Sequence, residues 1–120
     1  MTAFQTGAAR DGFSDVETDF SQVRFVKKHT KLKHETLMSL AQSYFGAANL
    51  WPMIWMDNEF IDNPTSVPDG APLLIRRGDR INASDRSEAI RIANVWLLNP
   101  GQRGVMVAQR RRDIMARRAA

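Results

Sequence analysis

The 120-residue chain has no cysteine, one tyrosine and two histidines. The missing cysteine rules out disulfide staples, thiolate metal ligands and a thiol nucleophile. No segment approaches the roughly 18 consecutive apolar residues of a membrane span. The opening MTAFQTGAARDGFSD lacks the basic start and continuous apolar stretch of a secretory signal. His29 and His34 do not share a helix face, no carboxylate stands at a general-base or metal spacing from them, and HExxH is absent. Both histidines are expected as surface or capping residues. Asp57, Glu59 and Asp62 do not follow the spacing of an EF-hand loop. The expectation is a non-enzymatic chain with no catalytic residues, no metal and no cofactor.

What is present is charge in blocks. The formal net charge is +4. Asp11, Asp15, Glu17 and Asp19 make one acidic block, and Arg24, Lys27, Lys28, Lys31 and Lys33 a basic one. The segment from Asp57 to Asp69 is acidic again. Arg103, Arg110, Arg111, Arg112, Arg117 and Arg118 make the C-terminus basic. Such asymmetry points to separate docking surfaces, or to a basic tail for an anionic partner. The acidic loop end reads as solvated, or as pairing with the arginine tail of a neighbouring subunit.

Periodicity divides the chain into an arm over 1–21, a core domain over 22–80 and an arginine-rich helical extension over 81–120. The arm carries Phe4, Phe13 and Phe20 without a helical or strand period. Residues 22–29 (QVRFVKKH) suit a short strand. Leu37, Leu40, Ala41, Tyr44 and Phe45 fall at i, i+3, i+4, i+7 and i+8, one stripe of a helix over 35–45. Gly46 then stands where a left-handed cap is expected. A second helix begins near Asn49, a candidate N-cap, with Pro52 in its first turn. It carries Leu50, Trp51, Met53, Ile54, Trp55 and Met56 around most of its circumference. Pro64, Pro68 and Gly70 mark a loop, and PLLIR (72–76) a closing strand. Asp85 and Glu88 form a capping-box pattern. A helix with Ala89, Ile90, Ala93, Trp96 and Leu97 follows, and Asn99-Pro100-Gly101 ends it. Residues 102–120 suit a basic helix with Val107, Ile114 and Met115 as its apolar stripe. With Trp96 and Leu97 as contacts, the extension packs back on the domain or crosses to another subunit; the sequence leaves both open.

The central segment resembles the LysM domain. Glu35-Thr36-Leu37, Leu40-Ala41, Tyr44 with Gly46, Asn58, Asn63-Pro64, Gly70 and Leu74-Ile75 follow the family's motif order across residues 22–76. Where the family has glycine, this chain has His34. The resemblance implies an α+β fold: a small βααβ unit with a two-stranded antiparallel sheet and two helices. The tryptophan-rich LWPMIWMDN looks like the LysM-like proteins of phage tails and related contractile injection machines. That likeness implies a structural adaptor joining hub, tube or wedge components in several symmetric copies, located in the virion and assembled in host cytoplasm.

The interface candidates are Trp51, Met53, Trp55, Met56, Phe60 and Trp96, with Arg110, Arg111 and Arg112, because interfaces favour Trp, Met and Arg. Trp51 and Ile54 also suit the domain's own core. The alternative is a module for peptidoglycan or chitin-type glycans. In the family the glycan groove lies between the turn before the first helix and the loop after the second, and the matching residues are Glu35, Thr36, Asn58, Ile61 and Asn63. A helix-turn-helix DNA reader is disfavoured. Residues 49–59 offer no Lys or Arg and carry Asp57 and Glu59, which repel phosphate. No specific nucleic acid and no membrane is expected as partner.

Overall fold

The computed structural model describes residues 25–119, with side chains from residue 28 onward. The arm over 1–21 and the first three residues of the expected strand lie outside that range.

Strand β1 (Phe25–Thr30) pairs antiparallel with β2 (Pro72–Arg76), from Thr30 opposite Pro72 to Phe25 opposite Arg76, with a bulge between Phe25 and Lys27. In β2, Leu73 and Ile75 are buried while Leu74 lies on the exposed side, the period-two pattern of a strand packed on one face. Gly70, at φ +82°, reverses the chain before β2, and its N–H donates to the Lys31 carbonyl.

Helix α1 (Leu37–Phe45) begins at Thr36, whose hydroxyl accepts the Ser39 N–H while the Ser39 hydroxyl accepts the Thr36 N–H. This is a capping box with serine as the reciprocal partner. Glu35 precedes the cap and does not sit in the first turn. Leu37, Leu40 and Ala41 are buried, Tyr44 and Phe45 are half-buried, and Gly46 ends the helix at φ +75°.

Helix α2 (Trp51–Asp57) grows from a 3-10 turn over Ala48–Leu50. Asn49 is therefore not the N-cap. It lies exposed inside the 3-10 turn, which leads directly into α2. Every residue from Trp51 to Trp55 is buried, because different neighbours cover different sides. Ile54 joins Leu37, Leu40, Leu73 and Ile75 in the main core. Met53 packs with Leu50, Ile81 and Ala89 in a second cluster.

The neighbours in that second cluster come partly from α3 (Ala83–Leu98). Its N-cap is Asn82, whose side chain accepts the Asp85 N–H, so the helix starts earlier than the expected Asp85 cap. The shift releases the Asp85 carboxylate for Arg76, which is buried and binds Asp57 on its other side. Burial opposes the Arg76 charge, but its hydrogen bonds to Asp57 and Asp85 prevail and raise its pKa. The triad ties the end of α2, the end of β2 and the start of α3 together. Ala89 and Ala93 are buried against α2, with Ile92 and Trp96 beside them. Leu97, expected as a contact, is exposed. The 16 residues of α3 outrun the 7 of α2, so the apolar stripe outlasts what it packs on.

A 3-10 turn over Pro100–Gln102 leads into α4 (Arg103–Ala119), which buries Val107 and Ile114. Met115, expected on the same stripe, is exposed. The result is an α+β fold with a two-stranded antiparallel sheet and four α-helices among the described residues.

Candidate functional site

Two features of the fold can receive a partner: a groove beside α1, and the surfaces of the C-terminal helices.

The groove, about 410 Å³, runs between the turn that leads into α1 and the loop at Pro64–Val67. Trp51, Trp96, Leu37 and Val67 supply apolar surface, and Lys31, Lys33, Glu35, Thr36 and Thr65 supply polar groups. The turn is held from beneath. The Glu35 carboxylate accepts from the Leu32 N–H at 2.8 Å and lies 2.8 Å from His29 Nε2. His29 Nδ1 lies 2.7 Å from the Tyr44 hydroxyl. A carboxylate needs a donor, so Nε2 carries the proton and a neutral ring accepts the Tyr44 O–H at Nδ1. The bond to His29, then that to Leu32, lowers the pKa of Glu35 below its usual value. His29 is thus half-buried in a Tyr–His–Glu chain, which corrects its expected surface role, whereas His34 is exposed. Lys31 is mostly buried, and its ammonium donates to Asp69 and to the Leu32 carbonyl. Sequence alone offers no signal for that role, because Lys31 is one cation among five in its block.

Of the five glycan candidates, Glu35 and Thr36 line the groove. Asn58 does not: it is buried, its amide donates to the Ile54 and Leu74 carbonyls, and its oxygen accepts the Leu74 N–H. It occupies the outer edge of β2 in place of a further strand. Ile61 is buried in the core. Asn63 accepts from the Thr65 N–H and hydroxyl, shaping the loop that brings Thr65 into the wall.

The aromatic candidates converge inward. Trp51 and Trp55 stack at 6.0 Å between ring centroids, and Trp96 meets both edge-on at 5.7 and 5.8 Å. Trp55 is 2% exposed and its indole N–H donates to the Ile61 carbonyl. Arg110 lies over Trp55 at 5.0 Å, and Arg103 lies over Trp96 at 5.4 Å. Met53 and Trp55 therefore present no free interface, because the chain's own C-terminal helices and second cluster cover them, whereas Trp51, 6% exposed, lines the groove. Met56 and Trp96 are half-buried, and Phe60 is half-exposed.

The arginines divide by environment. Arg110 donates to the carbonyls of Ile61, Trp55 and Asn58, closing the C-terminal end of α2, and burial lowers its pKa. Arg111 pairs with Asp62, and Arg117 and Arg118 pair with Glu59. Hydrogen bonds from Arg117 and Arg111 lower the pKa of Glu59 and Asp62 respectively. The acidic loop end is thus paired within one chain, which corrects the expectation of a neighbour's arginine tail. Arg112 is exposed and donates to Gln109.

At the corner between α3 and α4 the sequence singled out Leu97 as a contact but not Leu98 or Val105. Leu97 is 70% exposed, Leu98 78% and Val105 55%. The adjacency of Leu97 and Leu98 was the available signal, since two neighbouring leucines cannot both face one side of a helix. Among the described residues, no group of three or more His, Cys, Asp or Glu is placed to hold a metal ion. No described helix is long and apolar enough to cross a membrane. No protein-family model, curated protein or solved structure matches the chain.

Proposed function

We propose that the chain is a non-enzymatic structural adaptor of a phage tail or baseplate, or of a related contractile injection machine, built on a LysM-like βααβ unit. The order β1, α1, α2, β2, with Gly46 capping α1 and Gly70 leading into β2, supports the LysM-like reading. The tail or baseplate assignment rests on the resemblance of LWPMIWMDN. The observation that carries the adaptor reading is the exposure of Leu97, Leu98 and Val105, large apolar side chains on either side of the corner between α3 and α4. Covering such side chains removes apolar surface from water, which favours association. The clamp of Arg110 and the three tryptophans joins the hairpin carrying this corner to the rest of the fold, as a connector between two neighbours requires.

The test is a Leu97→Glu/Leu98→Glu chain. Its folded-state stability should stay within about 0.5 kcal/mol of the parent, since both positions are exposed. Its incorporation into tail particles should fall sharply. Incorporation at the parental level would remove the adaptor reading.

One observation favours a second reading as a glycan-binding module: Glu35 and Thr36 face the same groove as Trp51 and Trp96. Aromatic surface beside polar groups suits a sugar. An N-acetylglucosamine oligomer should then change tryptophan emission, and purified peptidoglycan should retain the chain at moderate salt. Failure of both measurements excludes it.

A further inference from the structure

The sheet has two outer edges, and they differ. Along an antiparallel pair, residues alternate between exchanging backbone bonds with the partner and pointing their backbone groups away from it. The Lys31 N–H donates to the Ala71 carbonyl, which sets the phase. His29 opposite Leu73 is then a bonded pair, whereas Lys28 opposite Leu74 and Thr30 opposite Pro72 point their N–H and C=O groups outward. Pro72 suits such a place because it has no N–H to leave unpaired. On the β2 side the outward groups are taken: the Asn58 side chain accepts the Leu74 N–H and donates to the Leu74 carbonyl. On the β1 side no described residue does the same for Lys28 and Thr30, and the sheet ends there. The bulge between Phe25 and Lys27 breaks the ladder at the other end, so the pairable stretch is Lys28–Thr30.

The side chains along this stretch carry charge of one sign. Lys28 and Thr30 are exposed on the same face, and Leu74, 37% exposed, lies across from Lys28. Lys33, just past the strand, is exposed as well. Lys31 pairs with Asp69, and Glu35 with His29, but among the described residues Lys28 and Lys33 have no acidic partner. We propose that the outer edge of β1 is a strand-addition site for an extended acidic segment of a partner protein. An added strand meets the N–H and C=O groups of Lys28 and Thr30, and an acid opposite Lys28 gives the pairing its preference. Charge also decides against a second copy as the occupant. Two FVKKHT strands edge to edge would bring lysines together, which is how lysine keeps like edges apart. This edge acts independently of Leu97, Leu98 and Val105.

A capped hexapeptide of alternating glutamate and valine, added to the full chain while amide exchange is followed by NMR, tests it. The Lys28 and Thr30 amides should exchange fast in the free chain and slow about tenfold at a peptide concentration about ten times its Kd, with the Leu74 amide unchanged. Lys28→Glu alters an exposed side chain and should keep the fold. It should weaken the glutamate peptide about tenfold and favour a peptide of alternating lysine and valine instead. Equal binding of the two peptides to the parent chain would overturn the proposal, as would undiminished binding by Lys28→Glu. Protection confined to the groove beside α1, or none at about 1 mM peptide, would do the same. So would Lys28 and Thr30 amides that are already slow in the free chain, because the edge would then be occupied.

Discussion

Removing the Arg110 guanidinium while keeping its stem, as in Arg110→Met, isolates the clamp between α4 and α2. Arg110 donates to three carbonyls, those of Ile61, Trp55 and Asn58, and its cation lies over Trp55. Each carbonyl keeps another donor after the change: Ile61 retains the Trp55 indole N–H, Trp55 the Asn58 N–H, and Asn58 the Ile61 N–H. No carbonyl is orphaned, so the loss is nearer to about 1 kcal/mol per bond than to the larger cost of an unsatisfied group. The cation–π contact adds about 1 kcal/mol, while relief of guanidinium burial returns part of the total. A net loss of about 2–4 kcal/mol follows. With an m value of about 2 kcal/mol/M, the urea midpoint should drop by about 1–2 M. Arg110→Lys should recover less than half, because a single ammonium nitrogen cannot occupy the places of both guanidinium nitrogens that donate here. Tryptophan emission should shift in the same transition, since Trp55 loses its cover. A midpoint change for Arg110→Met equivalent to less than about 0.5 kcal/mol would refute the clamp.

Asn58→Ala should cost about 2–3 kcal/mol in chemical denaturation, because a buried amide no longer satisfies the Ile54 carbonyl or the outer edge of β2 at Leu74. Trp96→Ala should cost about 2–4 kcal/mol and redden the emission of Trp51 and Trp55, less than a fully buried tryptophan because Trp96 is half-buried. Glu59 and Asp62 have depressed folded pKa values, so their contribution is complete above the unfolded carboxylate pKa of about 4 and disappears as pH falls through the lower folded values. Acid titration below about pH 4 should therefore loosen α4 before the core, seen as earlier amide exchange in α4 than in α1, with added salt reducing the difference. Uniform exchange along both helices at low pH would reject that order.

The local elements were legible because their causes are local. The stripe from Leu37 to Phe45 and the left-handed Gly46 specify α1 at both ends. The alternation in PLLIR specifies β2, and Asn99-Pro100-Gly101 breaks the C-terminal helices. Residue counts also exposed the central problem: α2 carries more apolar surface than two strands and one helix can cover. What covers that surface was not written locally. Trp51 and Trp55 meet Trp96 some forty residues later in the chain, and Arg110 reaches the end of α2 across more than fifty. Periodicity constrains neighbours one or two turns away and says nothing about contacts at that separation. It could not decide whether α3 and α4 fold back or cross to another subunit. Tertiary packing decided it, by giving Trp55 an aromatic edge and a cation and by pairing Glu59 and Asp62 with arginines of the same chain. The same packing buried Met53 and Trp55 and left Leu97, Leu98 and Val105 exposed. Those residues lie where α3 outruns α2 and the hairpin turns, a place that exists only once the helices are packed.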